Sequence, residues 1–253
     1  MKNLLMALSA VFAITTSFYI SPDTSRVNSE IKNAVNDTAS LGNTPEITEE
    51  IKKLSAAEIL YSSLHFEGNQ LNKEVFDKAF QGFENLKKSG NINADCHLLT
   101  VCDFSLSSNT KRLWVIDTNE KKILFNSLVA HGKNTGEEFA EKFSNTESSY
   151  QSSLGFYVTD VTYNGDNGYS LKLLGMDKGF NDAALDRAIV MHGADYVNED
   201  FAKQHKRIGR SWGCPAIPRD LAEPIINTIK GKNVLFIYYP DENYLNSSEW
   251  LKS

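Results

Sequence analysis

The 253-residue chain reads as a mainly β fold: a β-sandwich or barrel-like core, preceded by an N-terminal helical segment and carrying one or two short helices. Three observations predict it. Short apolar or alternating runs recur from Leu98 to Tyr239 with turn residues between them, the pattern of strands in a sandwich or barrel. Helical spacing of apolar residues is concentrated upstream, between Glu49 and Gly90. With 41% hydrophobic and 23% charged residues the composition is that of an ordinary globular protein, long enough to bury a core without staples.

The chain opens MKNLLMALSAVFAITTSFYI. Lys2 supplies a positive start, Leu4 to Ile14 an apolar run, and Thr15 and Ser17 small residues spaced for cleavage. Residues 1–17 are therefore expected to be a signal peptide, which directs the protein to the periplasm or the extracellular, cell-wall face. The apolar run is shorter than the roughly 17–25 residues of a spanning helix. Residues 18–48 are polar with few aromatics and read as a linker.

Residues 49–90 form the expected helical segment. EEIKKLSAAEILYS (49–62) and KEVFDKAFQGFENLKK (73–88) are its two helices. In the second, Val75, Phe76, Phe80, Phe83 and Leu86 fall on one stripe; Asn72 caps its start and Gly90 follows its end. Such a stripe is core packing.

Residues 98–240 carry the β pattern. LLTVCDF (98–104) is one apolar run. LWVID (113–117) and ILFNSLVA (123–130) flank the polar tip TNEKK as a hairpin. FYVTDVTY (156–163) alternates, as do residues 169–173, and Ile189 to Met191 lead into His192. DLAEPIINTIK (220–230) is a short amphipathic helix stopped by Gly231, and VLFIYY (234–239) a last buried strand. Residues 241–253 read as a C-terminal tail.

The net charge of −6 gives a nucleic-acid partner no electrostatic support. The three cysteines are Cys96, Cys102 and Cys214. If HLLTV is extended, Cys96 and Cys102 lie roughly 20 Å apart, whereas a disulfide needs Cα atoms about 4.4–6.8 Å apart. Cys102 reads as a small core residue, and Cys214 as the free thiol of an exported protein. His131, His192, His205 and Cys214 are too scattered for a zinc site, so neither metal nor cofactor is expected. His65 and His97 read as ordinary histidines.

Cys214 lies in GRSWGCPAIP, 22 residues after His192, at the end of a polar loop. A thiolate is the nucleophilic form of cysteine, and an adjacent imidazole can take its proton. A third group must then hold the other ring nitrogen. Gly213 permits unusual backbone angles and close approach of a substrate, and N–H groups of this turn can face a developing oxyanion. Arg187, Arg210 and Arg219, with Lys206 and Arg207, crowd the same region, where cations lower a thiol pKa or hold a substrate carboxylate. Trp212 can stack on a glycan or simply pack.

His-Gly, a loop, and then Ser-x-Gly-Cys resembles the signature of YkuD-type L,D-transpeptidases. LWVID followed by ILFNSLVAHGK is similar to that family's opening hairpin, and Ser153-Leu154-Gly155-Phe156 falls where the family has Pro-x-Gly-x-Phe. VAHGKNTG, SSLGFY, HGADY and GRSWGCPA are most similar to the murein L,D-transpeptidase catalytic-domain branch, and the resemblance runs from about Leu98 to Tyr239. It implies that Cys214 is the nucleophile, His192 the general base, and the carbonyl of Gly193 the third member. Ser211 and Gly213 match the signature's Ser and Gly. Arg210, Arg187, Trp212, Ser153 and Gly155 become the expected substrate-binding residues. Trp212 stands where the family usually has His, and Ala216 where it has Asn or Arg.

The implied reaction is acyl transfer from a peptidoglycan tetrapeptide stem through a cysteine thioester. The acceptor is the amine of a second stem, a D-amino acid or a protein lysine. Water as acceptor would make the enzyme an L,D-carboxypeptidase. The alternative of another class is a cell-wall-binding module whose catalytic site has decayed.

Overall fold

The structure, a computed structural model, describes residues 56–252. The expected signal peptide and linker, and the start of the first predicted helix, lie outside the described residues. Helix α1 occupies 56–63. Helix α2 spans Lys73–Lys88, as its apolar stripe predicts, and the Asn72 side chain accepts a hydrogen bond from the Glu74 N–H at its start. No helix among the described residues is long and apolar enough to cross a membrane.

Eight strands follow: β1 Leu98–Asp103, β2 Leu113–Asp117, β3 Lys122–Ser127, β4 Gly155–Gly165, β5 Gly168–Gly175, β6 Val190–Ala194, β7 Ala216–Pro218 and β8 Val234–Tyr238. They form one sheet in the order β3-β2-β1-β8-β4-β5-β6-β7. Neighbours are antiparallel except β1–β8 and β6–β7, which are parallel. The two ends of this order approach each other: Ala130, just past β3, bridges Ala216 in β7, with a 2.8 Å bond from the Ala130 N–H to the Ala216 carbonyl. The sheet thereby curls back on itself, which answers the barrel-like expectation.

Every residue of β1, β2, β6 and β8 is buried, so both faces of the central strands are covered. Helix α2 covers one face with Val75, Phe76, Ala79, Phe83 and Leu86. Gly82 brings this helix against Phe156, because a Cβ there would lie 2.0 Å from the ring. Phe156 in turn stacks on Phe236 at 4.2 Å.

Two segments depart from the sequence reading. The loop between His192 and Cys214 contains helix α3, Glu199–His205, capped by the Asn198 side chain; it buries no residue and so shows no apolar stripe. After helix α4, Arg219–Ile229, and β8, the expected tail forms helix α5, Glu242–Ser247, and a 3-10 turn over Glu249–Leu251. Asp177 accepts hydrogen bonds from the Ser248 hydroxyl and, at 3.3 Å, from the Tyr244 hydroxyl, while the Trp250 indole donates to the Met176 carbonyl at 2.8 Å. Gln81 and Asn85 of α2 donate to the Leu251 and Trp250 carbonyls. Residues 241–252 are thus a clasp rather than a tail.

Candidate active site

Strands β6 and β7 bring the two key residues together. They run parallel with His192 opposite Ala216, so Cys214, two residues before Ala216, enters beside the first half of β6. Its sulfur accepts a hydrogen bond from the Val190 N–H at 3.5 Å and donates to the Ala188 carbonyl at 3.8 Å. Cys214 is also partly exposed, whereas Cys96 and Cys102 are buried, and all three thiols are free.

His192 is 4% exposed. Its Nδ1 lies 3.2 Å from the Gly193 carbonyl oxygen. A carbonyl only accepts, so Nδ1 carries the hydrogen, and in the neutral ring Nε2 holds a lone pair. Among the described residues Nε2 has no hydrogen-bond partner. The sulfur rests against the backbone of Ala188 and Val190, at the entry to the strand that carries His192.

Burial lowers the pKa of His192; the Gly193 carbonyl raises it and the Arg219 charge lowers it. Burial also pushes the Cys214 thiol up, against the Val190 N–H and the Arg187 charge, which pull it down. Both directions favour a neutral thiol beside a neutral imidazole. Neither group's shift has the other among its causes, and neither direction favours a preformed ion pair.

The cysteine turn is stapled from several sides. Ser211 Oγ donates to the Cys214 carbonyl at 2.6 Å and accepts from the Gly213 N–H at 3.1 Å. Gly213 has φ +127°, and a Cβ there would sit 2.7 Å from the Gln151 carbonyl oxygen. Its N–H is spent on Ser211, which corrects the expectation that it faces an oxyanion; the Cys214 N–H acts on its own thiol and helps to lower its pKa. Ser152, which the sequence reading missed, donates to the Gly213 carbonyl and accepts from the Gly132 N–H, both at 3.1 Å. The Ser211 N–H donates to the His131 carbonyl at 2.9 Å, and the Lys133 N–H to the Ser211 carbonyl at 2.8 Å. VAHGK was legible as a motif, but only the fold shows that it backs the cysteine turn.

The expected substrate-binding arginines are differently employed. Arg187 donates to the Ser144 and Gln151 carbonyls at 2.8 and 2.7 Å, to Ser149 Oγ at 3.1 Å and to Ser153 Oγ. Its fork is filled by the chain, although its charge still acts on the thiol. Arg210 donates to the Lys133 and Gly136 carbonyls and pairs with Glu137 at 2.6 Å; Arg207 shares that carboxylate. Arg219 grips Asp195 with two nitrogens. Ser153 is 1% exposed. At Gly155, φ is +115° and a Cβ would lie 2.5 Å from Asp177, so its role is backbone approach. The recorded hydrogen bonds of these arginines tie together the loops around the site. Trp212, in contrast, is 71% exposed.

His131 is the fold's other buried histidine. Its Nδ1 accepts from Arg112 at 2.9 Å, and its Nε2 donates to the Gly136 and Glu137 carbonyls. Burial and the Arg112 charge lower its pKa to about 4. Among the described residues no group of three or more His, Cys, Asp or Glu side chains could hold a metal. A cavity of about 390 Å³ bordered by Phe66, Trp114 and Phe125 includes none of the residues of this site.

With this geometry in view, the model of the L,D-transpeptidase catalytic domain matches residues 67–238, well over half of the chain, and the protein belongs to that family. Among solved structures it is similar to an L,D-transpeptidase from Mycobacterium smegmatis, with 12% identity and a TM-score of 0.35 over 57% of this chain and 59% of that one. An L,D-transpeptidase from Mycobacterium tuberculosis H37Rv is similar at 14% identity and a TM-score of 0.34, over 57% and 58% of the two chains. A mutant of the helical cell shape determining protein Pgp2 from Campylobacter jejuni is similar at 16% identity and a TM-score of 0.37, over 65% and 55%. The match spans less than two thirds of the length of each of these neighbours. No curated protein matches the sequence.

Proposed function

We propose that the protein is a peptidoglycan L,D-transpeptidase that works through a thioester on Cys214. One observation carries the reading: the single partly exposed thiol enters on the strand paired with that of His192, whose Nδ1 is tied to the Gly193 carbonyl, leaving Nε2 free to take a proton. Sγ gives its proton to His192 Nε2 and bonds to the carbonyl carbon of the third residue of a tetrapeptide stem. The Cys214 N–H is the turn's donor toward the resulting oxyanion. The bond to the terminal D-alanine breaks, and the imidazolium protonates the leaving amine. An acceptor amine then attacks the thioester, passes its proton to Nε2, and the thiolate leaves and is reprotonated.

The substrate places the reaction at the periplasmic or extracellular, cell-wall face, in keeping with the charged and apolar opening of the chain. The acceptor is an amine from a second stem, a D-amino acid or a protein lysine, or water in a carboxypeptidase reaction. Incubation with a carbapenem followed by intact-mass measurement tests the nucleophile. The wild type gains the mass of the drug and Cys214→Ala does not; an adduct that persists in the alanine variant removes Cys214 from the role. Incubation with purified tetrapeptide muropeptides reads the acceptor as dimers, exchange products or tripeptides. A wild type inert to both drug and muropeptides is the outcome expected of a decayed wall-binding module.

A further inference from the structure

The arginines around the cysteine turn each donate to carbonyl or carboxylate oxygens of the chain itself, but among the described residues the Lys133 ammonium does not. Its side chain is exposed and holds no carboxylate among the described residues. Its ammonium lies 4.1 Å from the centroid of Tyr150 and 5.6 Å from that of Trp212. The two rings meet edge to face at 5.6 Å. Trp212 precedes Cys214 by two residues, and the Lys133 backbone is bonded to Ser211 of the same turn.

This arrangement is maintained at a cost. Tyr150 has φ +55°, a left-handed conformation unfavourable for a bulky residue. It is held there by the Asn134 N–H, which donates to its carbonyl at 3.1 Å, and by the Asn134 side chain, which donates to the Ser149 carbonyl at 2.9 Å. Gly132 admits the Tyr150 carbonyl, since a Cβ at Gly132 would lie 2.5 Å from it. Tyr150 is 37% exposed and Trp212 71% exposed, so the pair is not core.

We infer that Lys133, steadied between Tyr150 and Trp212, binds the free terminal carboxylate of the donor stem peptide. This rests on the transpeptidase reading of the same site. A carboxylate one residue beyond the attacked bond needs a cation close to the nucleophile, and in a chain of net charge −6 an unpaired ammonium beside the cysteine turn is the complementary group. The aromatic faces hold the ammonium by cation–π attraction without neutralising it, and they offer apolar surface to the small side chain of the terminal residue.

The test compares a tetrapeptide stem with its C-terminal amide. The wild type is expected to release the terminal residue from the acid with a kcat/KM about tenfold above that for the amide, the scale of a charge-assisted contact. Lys133→Met, which keeps the stem on the rings, is expected to raise KM for the acid to the amide's level and leave the amide unchanged. Lys133→Arg is expected to restore the preference. Equal slowing of acid and amide in Lys133→Met overturns the inference, as does a wild type indifferent to amidation. A disaccharide-linked stem supplies the competing occupant: if Lys133→Met leaves the preference for acid over amide intact while Trp212→Ala abolishes a preference for the disaccharide-linked stem, a sugar sits there instead. Calorimetric titration of Cys214→Ala with acid and amide reads the same discrimination without chemistry. Lys133-dependent binding by a protein that proves inert keeps this inference and removes transpeptidation alone.

Discussion

At Cys214 and His192 the decisive quantity is where a proton rests. Burial raises the thiol and lowers the imidazole, so the neutral pair persists from below the ordinary histidine value to above the ordinary thiol value. The sign for activity follows. In the proposed mechanism His192 must be neutral to act as a base, and its lowered pKa keeps it so as pH falls through the usual 6.5. The acid limb of kcat/KM for stem cleavage is therefore expected below 6.5. In the free protein, alkylation of Cys214 by iodoacetamide should be slow at pH 7 and accelerate only above pH 9, the ordinary value from which burial raises it. Rapid alkylation at pH 7 would show a preformed thiolate and contradict this account. His131 offers a second residue-level test. Its ring resonances should titrate near pH 4. Because the folded pKa lies below the unfolded one, His131 contributes stability at neutral pH that is lost as pH falls from about 6.5 through about 4, roughly 3 kcal/mol over the whole window. Cys214 and His192 could be singled out as candidates because a short local motif carries them. The employment of Arg187, Arg210 and Ser153 was not, because their acceptors are scattered between residues 133 and 153 and only folding brings them there.

Among the elements, α2 was read to the residue, since its apolar stripe, its Asn72 cap and the following Gly90 are all local signals. Helix α3 was read as loop because it buries nothing and is held by its cap at Asn198. The three-residue β7 was missed for the complementary reason: its pairing partners, β6 and the Ala130 segment, are far away in sequence. The contact of α2 with β4 is also invisible in the helix's own pattern. Gly82 sits where a Cβ would meet Phe156 at 2.0 Å. Gly82→Ala therefore should not give the usual gain of alanine over glycine in a helix; the overpacking should cost about 1–3 kcal/mol in urea unfolding. A midpoint at or above that of the wild type would mean that the helix shifts freely. Gly213→Ala is expected to harm the site more than the fold. Its Cβ would strike the Gln151 carbonyl at 2.7 Å and φ +127° is strained for alanine, so adduct formation with a carbapenem should fall at least tenfold while the cooperative thermal transition remains.

For the whole molecule the C-terminal clasp matters most. Asp177 is buried, accepts the Phe156 N–H at 2.7 Å, and receives the hydroxyls of Tyr244 and Ser248 from the far end of the chain. Burial raises its pKa, and these hydrogen bonds hold it down. Ending the chain after residue 240 would leave this carboxylate without two of its donors and uncover the α2 face that meets Trp250 and Leu251. Loss of a cooperative thermal transition, or a large fall in Tm, is the expected result; a truncated protein that melts like the full chain would show the clasp to be dispensable. By itself, the sequence determined the alternation of strands, the helix over residues 73–88 and the family, and it singled out Cys214 and His192 as the candidate pair, because each is written in neighbouring residues or a short motif. The strand order, the parallel β1–β8 and β6–β7 pairs, the clasp, the diversion of the arginines and the cation set between Tyr150 and Trp212 were decided only in the tertiary structure. They depend on groups distant along the chain competing for the same hydrogen bonds and buried space, and that competition has no outcome until the chain is folded.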